Sequence, residues 1–177
     1  MDGGDDCPLR GTLAQEGTIA LRLDSTGLEK LAEELAGEVR PGECILLTGG
    51  LGAGKSVFAR AFLRALGVEG DIPSPSFIVD AEYETESSTV HHVDLYRLGG
   101  GAEELEAFGI LDLLDSESIS VIEWADRLPA GISVSGFRIA LEFTGDPDVR
   151  EVTVERIDLA GDGDIAQTGF GSGGCGR

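Results

Sequence analysis

The sequence predicts an α/β protein with a mostly parallel central sheet and a C-terminal antiparallel hairpin, and three observations predict it. Cys44-Ile45-Leu46-Leu47-Thr48 is a short, continuously apolar run, the mark of a strand covered on both faces. That run leads into a glycine loop, residues 49–54, and then into a helical pattern over 55–66 stopped by Gly67. Residues 137–143 and 149–157 alternate like two strands joined around Gly145-Asp146-Pro147. At about 150 residues per domain, a chain of 177 residues makes one domain of ordinary size.

The elements follow in order. Residues 1–16 are polar, contain glycine and show no period, which predicts a loose N-terminal arm before a single domain over 17–160. Thr18–Leu23 alternates as a strand does. Thr26 followed by Glu29 predicts a capping box opening a helix over 26–39, with Leu28, Leu31, Leu35 and Val39 on one face and Arg40-Pro41-Gly42 as its stop. Ser74-Pro75-Ser76 interrupts regular structure, and residues 77–84 and Thr89–Asp94 read as strands joined by the polar Thr85-Glu86-Ser87-Ser88. After Gly99-Gly100-Gly101, residues 102–114 hold one or two short acidic helices. Residues 119–122 form a second buried strand that ends at Glu123-Trp124. The last seventeen residues, 161–177, include seven glycines and predict a flexible tail.

Composition narrows the function. Asp and Glu number 33 against 13 Lys and Arg, a formal charge of −20, while 41% of residues are hydrophobic. A broad nucleic-acid grip needs a basic face, so no direct hold on DNA or tRNA is expected. No segment reaches the roughly 18 uninterrupted apolar residues of a membrane span, and the acidic start predicts a cytoplasmic chain without a signal peptide. Three cysteines, Cys7, Cys44 and Cys175, predict neither a disulfide framework nor a zinc site, with Cys44 a small core residue.

Gly49-Gly50-Leu51-Gly52-Ala53-Gly54-Lys55-Ser56 matches G-x-x-x-x-G-K-[ST] in full, between a strand and a helix. Glycines let successive backbone N–H groups converge on phosphate oxygens, and the helix directs the positive end of its dipole at the same spot. In that reading Lys55 bridges the β- and γ-phosphates and the Ser56 hydroxyl ligates Mg²⁺. A chain this acidic repels a polyphosphate at long range. Lys55, the helix terminus and Mg²⁺ are the means of overcoming that locally, with Arg60 and Arg64 behind them on the helix.

The Mg²⁺ shell of such a site needs an acid at the end of a second strand, and Glu123 has that position. Trp124 reads as packing at the strand end rather than as a base-stacking platform. His91-His92-Val93-Asp94-Leu95-Tyr96-Arg97 is a second polar patch, in which alternation places His92 and Asp94 on one strand face and His91 and Val93 on the other. No nearby Cys or third His completes a zinc site. Asp94 is the candidate to orient or deprotonate an attacking water, because Gln15 and Gln167, the only glutamines, fall in the arm and the tail. Arg97 reads equally as a charge stabiliser or as half of a surface ion pair.

The phosphate loop, Ser74-Pro75-Ser76-Phe77, His92-Val93-Asp94-Leu95-Tyr96-Arg97-Leu98 and Ile122-Glu123-Trp124, in that order, resemble the TsaE family, the small P-loop ATPases of bacterial tRNA threonylcarbamoyladenosine biosynthesis. The resemblance spans residues 18–157, and H-x-D-L-Y-R with I-E-W is far more specific than the loop alone. It implies a P-loop NTPase-type three-layer fold with a mixed sheet, ATP and Mg²⁺ as cofactors, and an ATPase that is slow by itself. The implied partners are TsaD and TsaB, which build the threonylcarbamoyl group onto adenosine 37 of tRNAs reading ANN codons. ATP turnover then drives cycling of that complex rather than modifying RNA. The same resemblance implies that Ser56 and Glu123 hold Mg²⁺, that Asp94 is the residue most needed for hydrolysis, and that Ser76 in a switch-like loop senses the γ-phosphate. The family usually has Asp where Gly50 stands and Thr where Ser56 and Ser76 stand; serine keeps both hydroxyls.

Two other readings of the loop compete. A small-molecule kinase also uses such a loop and Mg²⁺ but needs a lid over its phosphate acceptor, and no Arg-rich lid is evident. A nucleotide-gated interaction module would use occupancy alone. A GTPase is disfavoured, since the chain lacks the asparagine of Asn-Lys-x-Asp guanine recognition. Ser25 and Thr26, at the start of the first helix, are expected near the base.

Overall fold

A computed structural model of the chain describes residues 17–75, 79–99, 101–114, 117–129 and 131–157. Ser76, the expected arm and the expected tail lie outside the described residues, as do Cys7 and Cys175. The elements are β1 (Thr18–Leu23), α1 (Ser25–Ala36), β2 (Cys44–Gly49), α2 (Lys55–Ala65), β3 (Asp80–Glu84), β4 (Thr89–Asp94), α3 (Ala102–Ala107), α4 (Ile110–Leu114), β5 (Ile119–Glu123), a 3₁₀ turn at Ala125–Arg127, β6 (Gly136–Phe143) and β7 (Arg150–Ile157).

They form one seven-stranded sheet in the order β1-β7-β6-β2-β5-β4-β3. The four central strands, β6, β2, β5 and β4, are parallel, whereas β7 on β6, β1 on β7 and β3 on β4 are antiparallel. The mostly parallel central sheet expected from the apolar runs is therefore the core of the fold, its antiparallel edges make it mixed as the resemblance implies, and β6 and β7 make the expected hairpin. Every residue of β5 is buried, as a strand covered on both faces requires.

Side chains alternate across the sheet into two cores. On one face Ile45, Leu47, Val121, Ile139 and Val154 pack beneath α1 and α2, which contribute Leu28, Leu31, Leu35, Phe58 and Phe62. On the other, Cys44, Leu46, Val93 and Ile122 are covered by Leu98, Leu105, Ile110 and Leu128. Each leucine so buried contributes roughly 1.5–3 kcal/mol relative to exposure. Cys44 is a core residue as expected, its thiol pushed up to about 12 by burial first and by Glu43 second. Among the described residues no helix is long and apolar enough to cross a membrane.

The structure moves some boundaries. The cap of α1 is Asp24, not Thr26: Asp24 is extended (φ −82°, ψ −176°) and its Oδ1 accepts from Gly27 N–H at 2.8 Å. The helix ends at Ala36 rather than 39, yet Val39 still packs on the α1–α2 core from a turn in which its N–H donates to Leu35 O. The apolar period thus runs one turn past the helix. β3 starts at Asp80, after Val79, whose φ of 71° no regular strand allows. Asp24→Ala is expected to cost about 1 kcal/mol in urea unfolding, and Asp24→Asn much less, since the amide oxygen still accepts the bond.

Candidate functional site

The cavity of interest opens at the C-terminal ends of the parallel strands β2, β5 and β4, where open α/β sheets place their ligands. It has a volume of about 400 Å³ and is bounded by Leu51, Gly52, Lys55, Ser56, Asp94 and Glu123, among others.

Two glycines explain the course of the loop. Gly49 leaves β2 at φ 134°, where a Cβ would meet Leu141 O at 2.4 Å. Gly54 caps α2 at φ 114°, with a Cβ position 2.9 Å from Leu28 Cδ2. A side chain at either position is excluded both by conformation and by space. At Gly50 a Cβ would stand 3.1 Å from Cε2 of the Phe143 ring, so the hairpin's last aromatic occupies that side of the loop.

The first helical residue, Lys55, is only 4% exposed. Its Nζ donates to the carbonyls of Gly49 (2.6 Å) and Gly50 (2.8 Å) and stands 3.6 Å from the centroid of Trp124. Burial lowers its pKa, opposed by Glu123, Asp126 and Asp94 in that order. Trp124 packs on the core at the strand end and also lines the cavity, lies 4.9 Å from Tyr96, and has a φ of 61° that turns the chain out of β5.

A hydrogen-bonded chain runs behind the loop. Ser56 Oγ donates to Glu123 Oε2 at 2.7 Å, and Glu123 Oε1 lies 2.9 Å from His92 Nε2. In the parallel register Asp94 stands opposite Glu123, which stands opposite Leu47, so two carboxylates, each under 4% exposed, end adjacent strands beside Lys55. Asp94 Oδ1 accepts the Tyr96 N–H at 2.8 Å, and the Asp94 N–H donates to Val79 O. As alternation requires, His91 faces the other way and pairs with Asp80 at 3.1 Å, a bond that raises its pKa against the opposing effect of burial.

The structure thus gathers Lys55, Ser56, Asp94 and Glu123. Leu51, Gly52 and Gly54 line the cavity with them, as does the exposed Arg97. Gly49 and Gly50 act through their carbonyls, and Ala53 is buried. Arg60 and Arg64 do not line this cavity. They face a neighbouring groove between α1 and α2 with Ser25, Glu29 and Glu33, and Val57 belongs to both. Sequence reasoning missed Arg127. Its Nη1 donates to Leu98 O at 2.7 Å and to Tyr96 O, tying the loop after Asp94 to the turn after Glu123. No periodicity marks such a residue; its one signal is adjacency to Ile122-Glu123-Trp124.

Chemically, the loop and the N-terminus of α2 suit an anion, and Ser56 with Glu123 offers hard oxygens to a divalent cation. Among the described residues no group of three or more His, Cys, Asp or Glu is placed to hold a metal ion. A cation here would therefore be completed by a ligand's oxygens and water, as Mg²⁺ on phosphates is.

Residues 23–152 match the family described as Threonylcarbamoyl adenosine biosynthesis protein TsaE. The chain is 34% identical over 132 residues to a tRNA threonylcarbamoyladenosine biosynthesis protein TsaE of Streptomyces coelicolor, covering 72% of this chain and 88% of that one. It is 33% identical over 152 residues to the protein of that name from Mycobacterium bovis, covering 81% and 89%. A crystal structure of YdiB from Bacillus subtilis superposes with a TM-score of 0.62 at 25% identity, over 81% of this chain and 88% of that one. With a family match across most of its length, relatives above 30% identity and a solved structure of similar fold, the chain belongs to the TsaE family.

Proposed function

We propose that the protein is a Mg²⁺-dependent ATPase required for threonylcarbamoylation of adenosine 37 in tRNAs reading ANN codons, slow alone and acting on a TsaD–TsaB complex rather than on RNA. One observation carries the reading. A buried ammonium, a hydroxyl–carboxylate pair and a second carboxylate converge on one glycine loop, while the molecule as a whole is strongly anionic.

Each residue has a task. The loop's backbone N–H groups and Lys55 bind the phosphates, with Lys55 directed at the β- and γ-oxygens. Ser56 and Glu123 fit Mg²⁺ as one hydroxyl and one carboxylate, and bound Mg²⁺ neutralises charge on those phosphate oxygens. Asp94 orients a water and accepts its proton as the oxygen attacks the γ-phosphorus and ADP leaves. Ser76 is assigned to sensing the γ-phosphate. The −20 charge agrees with a protein that does not itself grip tRNA.

The test is phosphate release from ATP, with and without TsaD and TsaB, in Mg²⁺ and in EDTA. Expected are slow release alone, stimulation by the partners, and ATP affinity at least about tenfold weaker in EDTA, a loss of about 1.4 kcal/mol. No stimulated release would favour the nucleotide-gated module, a phosphorylated small-molecule product the kinase, and full affinity in EDTA would remove Mg²⁺ from the site.

A further inference from the structure

His92 is fully enclosed, and nothing in the steps above uses it. We propose that it is a positioning residue for the cation site: its imidazole turns one oxygen of Glu123 inward, so that the other is presented to Ser56 and the cavity. The inference rests on the reading of Ser56 and Glu123 as the Mg²⁺ pair.

A glutamate is free to turn its end group. Its long arm ends in a carboxylate whose last torsion is broad, so nothing intrinsic selects which oxygen faces a ligand. Here the two oxygens have different partners, Oε1 with His92 Nε2 at 2.9 Å and Oε2 with Ser56 Oγ at 2.7 Å. Hydrogen bonds on both oxygens fix the plane as well as the direction of the group. The other ring nitrogen, Nδ1, is buried and has no hydrogen-bond partner among the described residues. A proton there would be an orphaned buried donor, with two lone pairs facing each other at Nε2 and Oε1. The proton therefore sits on Nε2 and His92 donates to Glu123. Outer partners of this kind orient ligating groups, and their loss costs about 10–100-fold in metal affinity. β4 thus carries two functions on one face, with Asp94 opposite Glu123 and His92 one pleat behind it, opposite Val121.

The experiment titrates the full chain with Mg²⁺ at fixed ADP, read by fluorescence of Trp124, the only tryptophan, which stands over Lys55. His92→Leu removes the donor, whereas His92→Gln places a carboxamide N–H near the position of Nε2–H. Expected is a rise of about 10–100-fold in half-saturating Mg²⁺ for His92→Leu, with His92→Gln restored to near the wild-type value. Equal half-saturation in wild type and His92→Leu overturns the inference, as does failure of His92→Gln to restore it while both variants keep the wild-type circular dichroism. If wild type itself shows no Mg²⁺-dependent ADP binding, the reading of the site fails instead. A measurement on wild type covers the case in which the variants do not fold. The ¹⁵N shifts of His92 should report a ring protonated at Nε2, its proton protected from exchange with and without Mg²⁺ and ADP, and a ring protonated at Nδ1 overturns the inference.

Discussion

Lys55→Ala is expected to weaken ATP and ADP binding at least 100-fold, about 3 kcal/mol at 1.4 kcal/mol per decade. The ammonium is the loop's own buried cation in a chain carrying −20, so its loss leaves long-range repulsion opposed by backbone dipoles, the metal pair and the exposed Arg97 at the cavity's edge. Lys55→Arg should not rescue. The ammonium lies between the carbonyls of Gly49 and Gly50 and the face of Trp124, contacts of a compact point charge that a planar, forked guanidinium does not reproduce. Calorimetric titration with ADP checks both variants, and affinity within tenfold of wild type in Lys55→Ala would show that the loop binds phosphate without it.

Asp94→Asn is expected to lower partner-stimulated phosphate release by about 10²–10⁴-fold while changing ADP affinity less than about threefold. The substitution separates chemistry from structure. An asparagine Oδ1 still accepts the Tyr96 N–H that Asp94 accepts at 2.8 Å, and Arg127 still holds the following carbonyls, so the loop keeps its course. What is lost is the capacity to take a proton from water. Single-turnover phosphate release beside an ADP titration reads the two effects separately, and release within tenfold of wild type would exclude Asp94 as the base.

How much of this was legible beforehand depends on the range over which each feature is encoded. The strand–loop–helix of β2 and α2 is local: an apolar run, glycines and a helical period are contiguous, and the structure places them as read. The shared face of His92 and Asp94 is local too, because a strand alternates with period two. The α1 cap was missed by two residues because Asp24, Ser25 and Thr26 are all capable caps, and tertiary packing of Leu28, Leu31 and Leu35 decides where the turn starts. The end of α1 was overrun because Val39 continues the apolar period after the helix has stopped.

By itself, then, the sequence determined the α/β class, the phosphate-type loop, the two buried parallel strands and the acid at the end of β5, each written within a dozen neighbouring residues. Only the tertiary structure decided that β5 lies between β2 and β4, that Glu123 reaches Ser56 across 67 positions of chain, and that His92 and Arg127 stand behind the site. The reason is physical. Periodicity reports which face of an element is buried, whereas strand order and register are set by the joint packing of both cores, and it is register that brings the end of one strand beside the end of another.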